Sequence, residues 1–208
     1  MHDFVHVSTH PLVLERVTRL RDRTTEPRSF REIVADLARL LFIEASHDLK
    51  LRHVTVQTPL AESAGHVVVD RVGLFPILRA GLGMADAILQ LVPSAQVWHL
   101  GLYRDHETLK PVEYYNKLPE RPELDVAIVM DPMLATGGSA SAVIEILQKR
   151  GVPKIKFLGL IAAPEGVRSL REQFPQVPLH LAALDSHLNE SGYIVPGLGD
   201  AGDRQFAT

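Results

Sequence analysis

The sequence predicts an α/β fold, a mostly parallel sheet flanked by helices with a small hairpin insertion. Three observations carry that prediction. Val126–Met130 is an unbroken apolar run ending at Asp131, which suits a strand buried on both faces. Directly after it, Gly137-Gly138 make a turn and SASAVIEILQKRG, from Ser139 to Gly151, reads as a helix. Strand and helix candidates then alternate from residue 72 to residue 184, the rhythm of βαβ units. At 208 residues, with 46% hydrophobic and 23% charged side chains, the chain suits a single domain over 1–208.

The elements follow in order. THPLVLERVTRLRD, residues 9 to 22, places Leu12, Val13 and Leu20 at roughly helical spacing. Ser29-x-x-Glu32 has the form of a capping box, and Ile33, Leu37, Leu40 and Leu41 mark one face of the helix behind it. Val54–Thr58 alternates like a strand, residues 59 to 66 read as a turn, and Val67–Asp70 reads as the return strand. Val72–Ile77 is the next apolar strand and leads through Leu78–Met84 into a helix from about Ala85 to Leu91. Val97–Tyr103 and Val112–Tyr115 read as strands around the polar run Arg104–Pro111. The helix after Ser139 stops at Gly151 and Pro153. Ile155–Ile161 and Leu179–Leu184 are the last core strands, with a helix between them that runs through Gln173.

Chemistry concentrates where strands end. Asp131 stands four residues before Ala135-Thr136-Gly137-Gly138-Ser139, a turn rich in exposed N–H groups and hydroxyls ahead of a helix N-terminus. Such a turn attracts anions, and an acid beside it suits sugar hydroxyls, so the pair fits a ribose 5-phosphate. Arg79 lies among small residues in the loop after another strand, where a guanidinium forks onto phosphate oxygens. Loops after parallel strands gather at one edge of the sheet. Tyr103–Pro111 is charged enough to be either a solvated hairpin or a mobile flap.

Several classes are disfavoured. The formal net charge of -3 supplies no global field for nucleic acid. No apolar run approaches the ~18 residues of a membrane span, and the first residues lack a basic-then-apolar leader pattern. With no cysteine there is no disulfide or thiol nucleophile, and a cytoplasmic enzyme is the expectation. No G-x-x-x-x-G-K-[ST] occurs. Gly197-x-Gly199-x-x-Gly202 matches a dinucleotide pattern but leaves no room for a βαβ unit.

Asp131 with Ala135–Ser139 resembles the phosphoribosyl pyrophosphate (PRPP) motif of type I phosphoribosyltransferases, and DPMLATGGS is similar to the form in the uracil phosphoribosyltransferase family. That branch shares Pro132 where most type I enzymes have a second acid. PILRAGLGM resembles the family's pyrophosphate loop, and Tyr103–Pro111 resembles its flexible loop, YR-x-x-ETL-x-P. The tail Gly192–Arg204 is similar to its uracil-binding hood, GY-[IV]-[IV]-PGLGDAGDR.

The resemblance implies transfer of ribose 5-phosphate from PRPP to N1 of uracil. It places Asp131 on the ribose hydroxyls and Asp131, Pro132, Met133, Leu134, Ala135, Thr136, Gly137, Gly138 and Ser139 around PRPP. It puts Arg79 and Arg104 on the pyrophosphate with Mg²⁺, the metal being held mainly through PRPP and by no protein ligand set. Ile194, Gly199 and Ala201 would contact uracil within a hood loop over about 185–208. Asp200 would lie between base and PRPP, as proton acceptor or as an electrostatic group. Asp131, Arg104 and Asp200 are the catalytic candidates.

The hairpin over 54–70 would belong to the hood or to a dimer contact. A homodimer or dimer-based homo-oligomer is implied, with GTP an effector in some family members. The pyrophosphate loop is often strained in the family, sometimes with a non-proline cis bond. Family tails commonly end in F-G-T where this chain has Phe206-Ala207-Thr208, which would strain Ala207 if that position needs a positive φ. A pyrimidine-responsive RNA-binding regulator and a phosphoribosyltransferase for another base are the alternatives.

Overall fold

A computed structural model describes residues 4–104 and 111–208. In chain order the elements are β1 (Val5–Val7), α1 (Pro11–Arg21), α2 (Pro27–Ala45), β2 (Leu51–Gln57), β3 (Glu62–Val68), β4 (Val72–Pro76), α3 (Leu82–Leu91), β5 (Gln96–Val97), β6 (Leu100–Arg104) and β7 (Pro111–Asn116). They continue with β8 (Val126–Leu134), α4 (Gly138–Lys149), β9 (Lys154–Ala162), α5 (Pro164–Gln173), β10 (Leu179–Leu184), β11 (His187–Leu188), β12 (Ile194–Val195) and α6 (Ala201–Phe206).

The main sheet has six strands in the order β1-β10-β9-β8-β4-β5, and every neighbouring pair is parallel. Along β8 the side chains alternate between two cores. Ile128 and Met130 pack with α1, α2 and α3, while Ala127 and Val129 pack with α4 and α5. Both faces are therefore covered, which is why this strand reads as a continuous apolar run. From β4 the chain steps outward to β5, then returns to the other side of β4 to lay down β8, β9 and β10. The direction of winding thus reverses between β4 and β8, and the loops leaving those two strands flank the crevice that results.

Six local readings need correction. The helix α2 begins at Pro27 with Glu26 as N-cap, and no side chain caps it. Ser29 therefore lies inside the first turn, and Glu32 pairs instead with Arg28 at 3.1 Å. Proline at the first helical position, with its fixed φ and no N–H to satisfy, set the start. The hairpin turn is shorter than 59–66, because pairing resumes at Glu62 opposite Gln57. Val97–Tyr103 is two strands. The chain leaves the main sheet after the Trp98 N–H donates to the Leu74 carbonyl (2.9 Å), and from Leu100 it pairs antiparallel with Pro111–Asn116. Parallel pairing along β8 continues past Asp131 to Leu134. The tail holds the short β11–β12 pair and helix α6, and an edge strand, β1, precedes the first helix.

Ala207, just past α6, takes φ 57° and ψ 42°, the left-handed conformation that a glycine would adopt without cost. Ala207→Gly should raise stability by about 0.5–1 kcal/mol. A urea midpoint that stays unchanged or falls would contradict that strain.

Candidate functional site

Three stretches meet at the carboxyl edge of the sheet. The first is the end of β8 and its turn into α4. Asp131, Met133, Leu134, Ala135, Thr136, Gly137, Gly138, Ser139 and Ala140 line one small cleft of about 80 Å³. All but one of the predicted phosphate-side residues thus share a single concavity, and the exception, Pro132, is buried. Gly137 supplies the turn: φ is 85°, and it is the N-cap of α4. Thr136, Gly138 and Ser139 are exposed at the mouth. From behind, the first turn of α5 presses on the loop. A β-carbon on Gly166 would lie 2.4 Å from the Ala135 carbonyl oxygen.

Asp131 is the one acid in this cleft. The residue keeps some accessible surface, so its desolvated carboxyl opens toward the cavity. Burial pushes its pKa up to about 7, and the nearby Asp200 carboxylate adds to the rise. A hydrogen bond accepted from the Met133 N–H (3.3 Å) opposes it.

The second stretch is the loop after β4. Its Leu78–Arg79 peptide is cis. The Ile77 N–H donates to the Met130 carbonyl at 2.9 Å, which fixes this loop against β8 one residue before Asp131. Arg79 is exposed and reaches toward the third stretch, 3.5 Å from the Asp203 carboxylate and 5.7 Å from the Phe206 ring centroid.

The third stretch is the tail. Ile194 and Ala201 are buried, while Gly199 and Asp200 are exposed. Asp200 is the N-cap of α6, accepting from the Asp203 N–H at 2.9 Å. Side chains to which the sequence assigned no role shape this loop. Asp185 accepts from the Gly197 N–H (2.9 Å), and Arg21 pairs with Asp185 while donating to the Gly197 carbonyl (2.9 Å). Arg204 donates to the Leu20 and Leu198 carbonyls (2.7 and 2.9 Å) and lies 4.4 Å from the Phe30 ring centroid. Arg21 and Asp185 are 164 positions apart, so no local pattern could have joined them.

Arg104 ends β6, but its side chain and residues 105–110 lie outside the described residues, so the flap prediction is not placed. A larger cleft of about 390 Å³ sits at the opposite edge of the sheet, between Asp48, Lys154, Lys156 and Gln176. It contains none of the groups above. The smaller cleft is the candidate site because an acid and a glycine turn at a helix N-terminus line it, and the Arg79 loop is held against the same strand end.

For Mg²⁺, no group of three or more potential carboxylate or imidazole ligands occurs among the described residues. Asp131 and Asp200 alone suit a metal that arrives on substrate phosphates with most of its own water. Among the described residues no helix is long and apolar enough to cross a membrane.

Comparison with known proteins agrees with this architecture. The profile of the uracil phosphoribosyltransferase family matches residues 7–208. Relatives include a uracil phosphoribosyltransferase of Roseiflexus castenholzii, 62% identical over 204 residues and covering 98% of each chain. One of Geobacillus kaustophilus is 53% identical over 205 residues, again covering 98% of each. Among solved structures, AQ2163 protein from Aquifex aeolicus superposes with a TM-score of 0.88 at 37% identity, covering 98% of each chain. The chain belongs to the uracil phosphoribosyltransferase family.

Proposed function

We propose that the chain transfers the 5-phosphoribosyl group of PRPP to N1 of uracil, yielding UMP and pyrophosphate. The observation that carries this reading is the convergence of the 131–140 cleft, the Arg79 loop and the glycine-rich tail at the crevice between β4 and β8. In this reading the N–H groups of Ala135–Ser139, with the Thr136 and Ser139 hydroxyls, hold the 5-phosphate at the N-terminus of α4. Met133 and Leu134 line the cleft beneath it, and Pro132 is buried outside that lining. The Asp131 carboxylate accepts from the ribose hydroxyls. Arg79 and Arg104 hold the pyrophosphate.

Ile194, Gly199 and Ala201 face uracil, chiefly through backbone groups. Uracil and cytosine differ in hydrogen-bond polarity at N3 and C4, so rigid backbone partners would disfavour cytosine by roughly 10⁴-fold. Asp200 already spends one oxygen on the α6 cap, which favours an electrostatic role near C1 over proton abstraction.

As pyrophosphate departs, C1 gains positive charge, and catalysis consists of stabilising that separation and aligning N1. Mg²⁺ arriving on PRPP, with Asp131 and Asp200 the acids available beside it, would supply charge neutralisation for the leaving pyrophosphate. No side chain acts as a nucleophile. Replacing Arg104 by alanine should lower kcat about 10²–10³-fold, the range for losing one charge-assisted donor to a developing anion. Wild-type kcat in Arg104→Ala would remove the flap from the mechanism.

The exposed hairpin β2–β3 fits a dimer contact better than a hood. Leu51, Val56, Leu60 and Val68 are exposed, and an isolated two-stranded hairpin is marginal alone. Light scattering should give twice the 23.0 kDa chain mass, or a higher even multiple for a dimer-based oligomer, whereas a monomer would contradict the dimer contact. Conversion of labelled uracil to UMP with PRPP and Mg²⁺, without and with GTP as effector, tests the activity. No UMP under either condition would overturn it.

A further inference from the structure

Gln205 is a buried amide for which the proposed reaction has no use. Only 1% of it is exposed, and it lies on α6 behind the base-binding loop. Its Nε2 donates to two carbonyls: Ala201, one turn back on α6 (3.1 Å), and Ala80, in the loop that carries Arg79 (2.9 Å). One side chain therefore ties the backbone of the pyrophosphate loop to the helix whose first residue faces the base. Arg31 anchors the same residue from α2 by donating to the Gln205 carbonyl at 2.6 Å. A second, exposed link runs in parallel: Arg79 lies 3.5 Å from Asp203 and against Phe206, both on α6. Pyrophosphate oxygens would compete with Asp203 for that guanidinium.

Resting on the proposed PRPP and uracil sites, we infer that Gln205 is a positioning residue that couples the two: pyrophosphate on the 78–81 loop tightens uracil binding through the Ala80–Gln205–Ala201 bridge. Ordering the loop fixes the Ala80 carbonyl. The shared amide then fixes α6 and Ala201, so the second ligand meets a site already ordered by the first. Reciprocity requires uracil to tighten pyrophosphate by the same factor.

Two variants disturb the bridge independently. Gln205→Met keeps the length of the side chain and removes the donor. Gly83→Ala leaves Gln205 in place but sets a β-carbon 2.7 Å from its Oε1, displacing the amide. Uracil binding is titrated calorimetrically with and without magnesium pyrophosphate, a pair that cannot react. The wild-type protein should bind uracil at least about 5-fold more tightly with pyrophosphate present, the lower end of ordinary coupling. Both variants should fall below about 2-fold while keeping near-wild-type affinity for uracil alone. A purely structural role would lower thermal stability and leave the ratio of affinities intact.

Coupling retained in both variants, or absent from a wild-type protein that converts uracil to UMP, would overturn the inference. Absence of both uracil binding and UMP formation in the wild type would instead remove the sites on which it rests.

Discussion

Asp131→Asn lowers kcat/KM for PRPP by about 10²–10⁴-fold, and the same substitution makes the unliganded protein more stable above pH 7. The first effect follows from the loss of a carboxylate accepting from sugar hydroxyls, where each charge-assisted hydrogen bond is worth about 1.5–3 kcal/mol. The second follows from the cost of holding that carboxylate in a desolvated place. Its pKa is raised to about 7, mainly by burial and additionally by Asp200.

Between the ordinary Asp value of about 3.9 and about 7, the folded protein therefore holds a proton that the unfolded chain has released. That contribution to stability is fully present at the acid end of the window and is lost as pH rises through about 7. Asparagine carries no charge to desolvate, so thermal midpoints of the variant and parent should diverge with rising pH, by roughly 2–4 °C per kcal/mol recovered.

Activity runs the other way. kcat/KM reports the free enzyme, so for PRPP it should rise with pH through about 7, and this limb should be missing in Asp131→Asn. A limb that persists in the variant belongs to the substrate phosphate, whose second pKa is about 6. Asp200→Asn removes the neighbouring negative charge and should move the Asp131 limb to lower pH. A variant that loses activity without gaining stability at high pH would mean that Asp131 is not desolvated as described.

Gly166→Ala should raise KM for PRPP about 10²-fold while leaving affinity for uracil within about 2-fold. Its new β-carbon meets the Ala135 carbonyl oxygen at 2.4 Å and Leu134 atoms at 3.0 Å. Two of those three contacts are with backbone, so a change of rotamer cannot relieve them. Either α5 backs away or the loop over 134–136 moves into the cleft that holds the phosphate. A displacement of about 1 Å costs about 10²-fold in a preorganised site, and overpacking adds about 1–3 kcal/mol of instability.

Gly151→Ala separates the two costs. Gly151 has a positive φ, 74°, where Gly166 has none, and open space around it, so a β-carbon there costs stability through the backbone alone and that variant should keep its KM for PRPP. If Gly166→Ala keeps its KM for PRPP, α5 is not the backstop of the phosphate loop.

What the sequence made legible follows the range of the forces involved. The β8–turn–α4 unit was readable because its determinants are contiguous: an apolar run, one acid, two glycines, a helix. The parallel sheet was readable from the alternation of elements. Boundaries failed where a non-local partner decides them. Nothing in Val97–Tyr103 marks the point where Trp98 lets go of Leu74 and Leu100 takes up Asn116. The capping box at Ser29 failed to a nearer competitor, Pro27.

In the site, the residues that touch ligand in the proposed mechanism lie in local motifs. Those that hold the motifs in place do not. Arg21 with Asp185, Gln205 with Ala80, and Gly166 with Ala135 are joined across 164, 125 and 31 positions by folding alone, so no window of sequence contains them. The positive φ at Ala207 is an instructive exception. There the family tail's glycine points to the backbone conformation that the structure displays.

The most direct test of the central claim is pyrophosphate release from PRPP and Mg²⁺ with uracil, cytosine, orotate or hypoxanthine supplied in turn. Release with uracil alone is predicted and would assign base selection to the 193–204 loop. Release with another base and not with uracil would keep the PRPP site and contradict the reading of that loop. No release with any of the four, with GTP present, would contradict the transferase assignment itself.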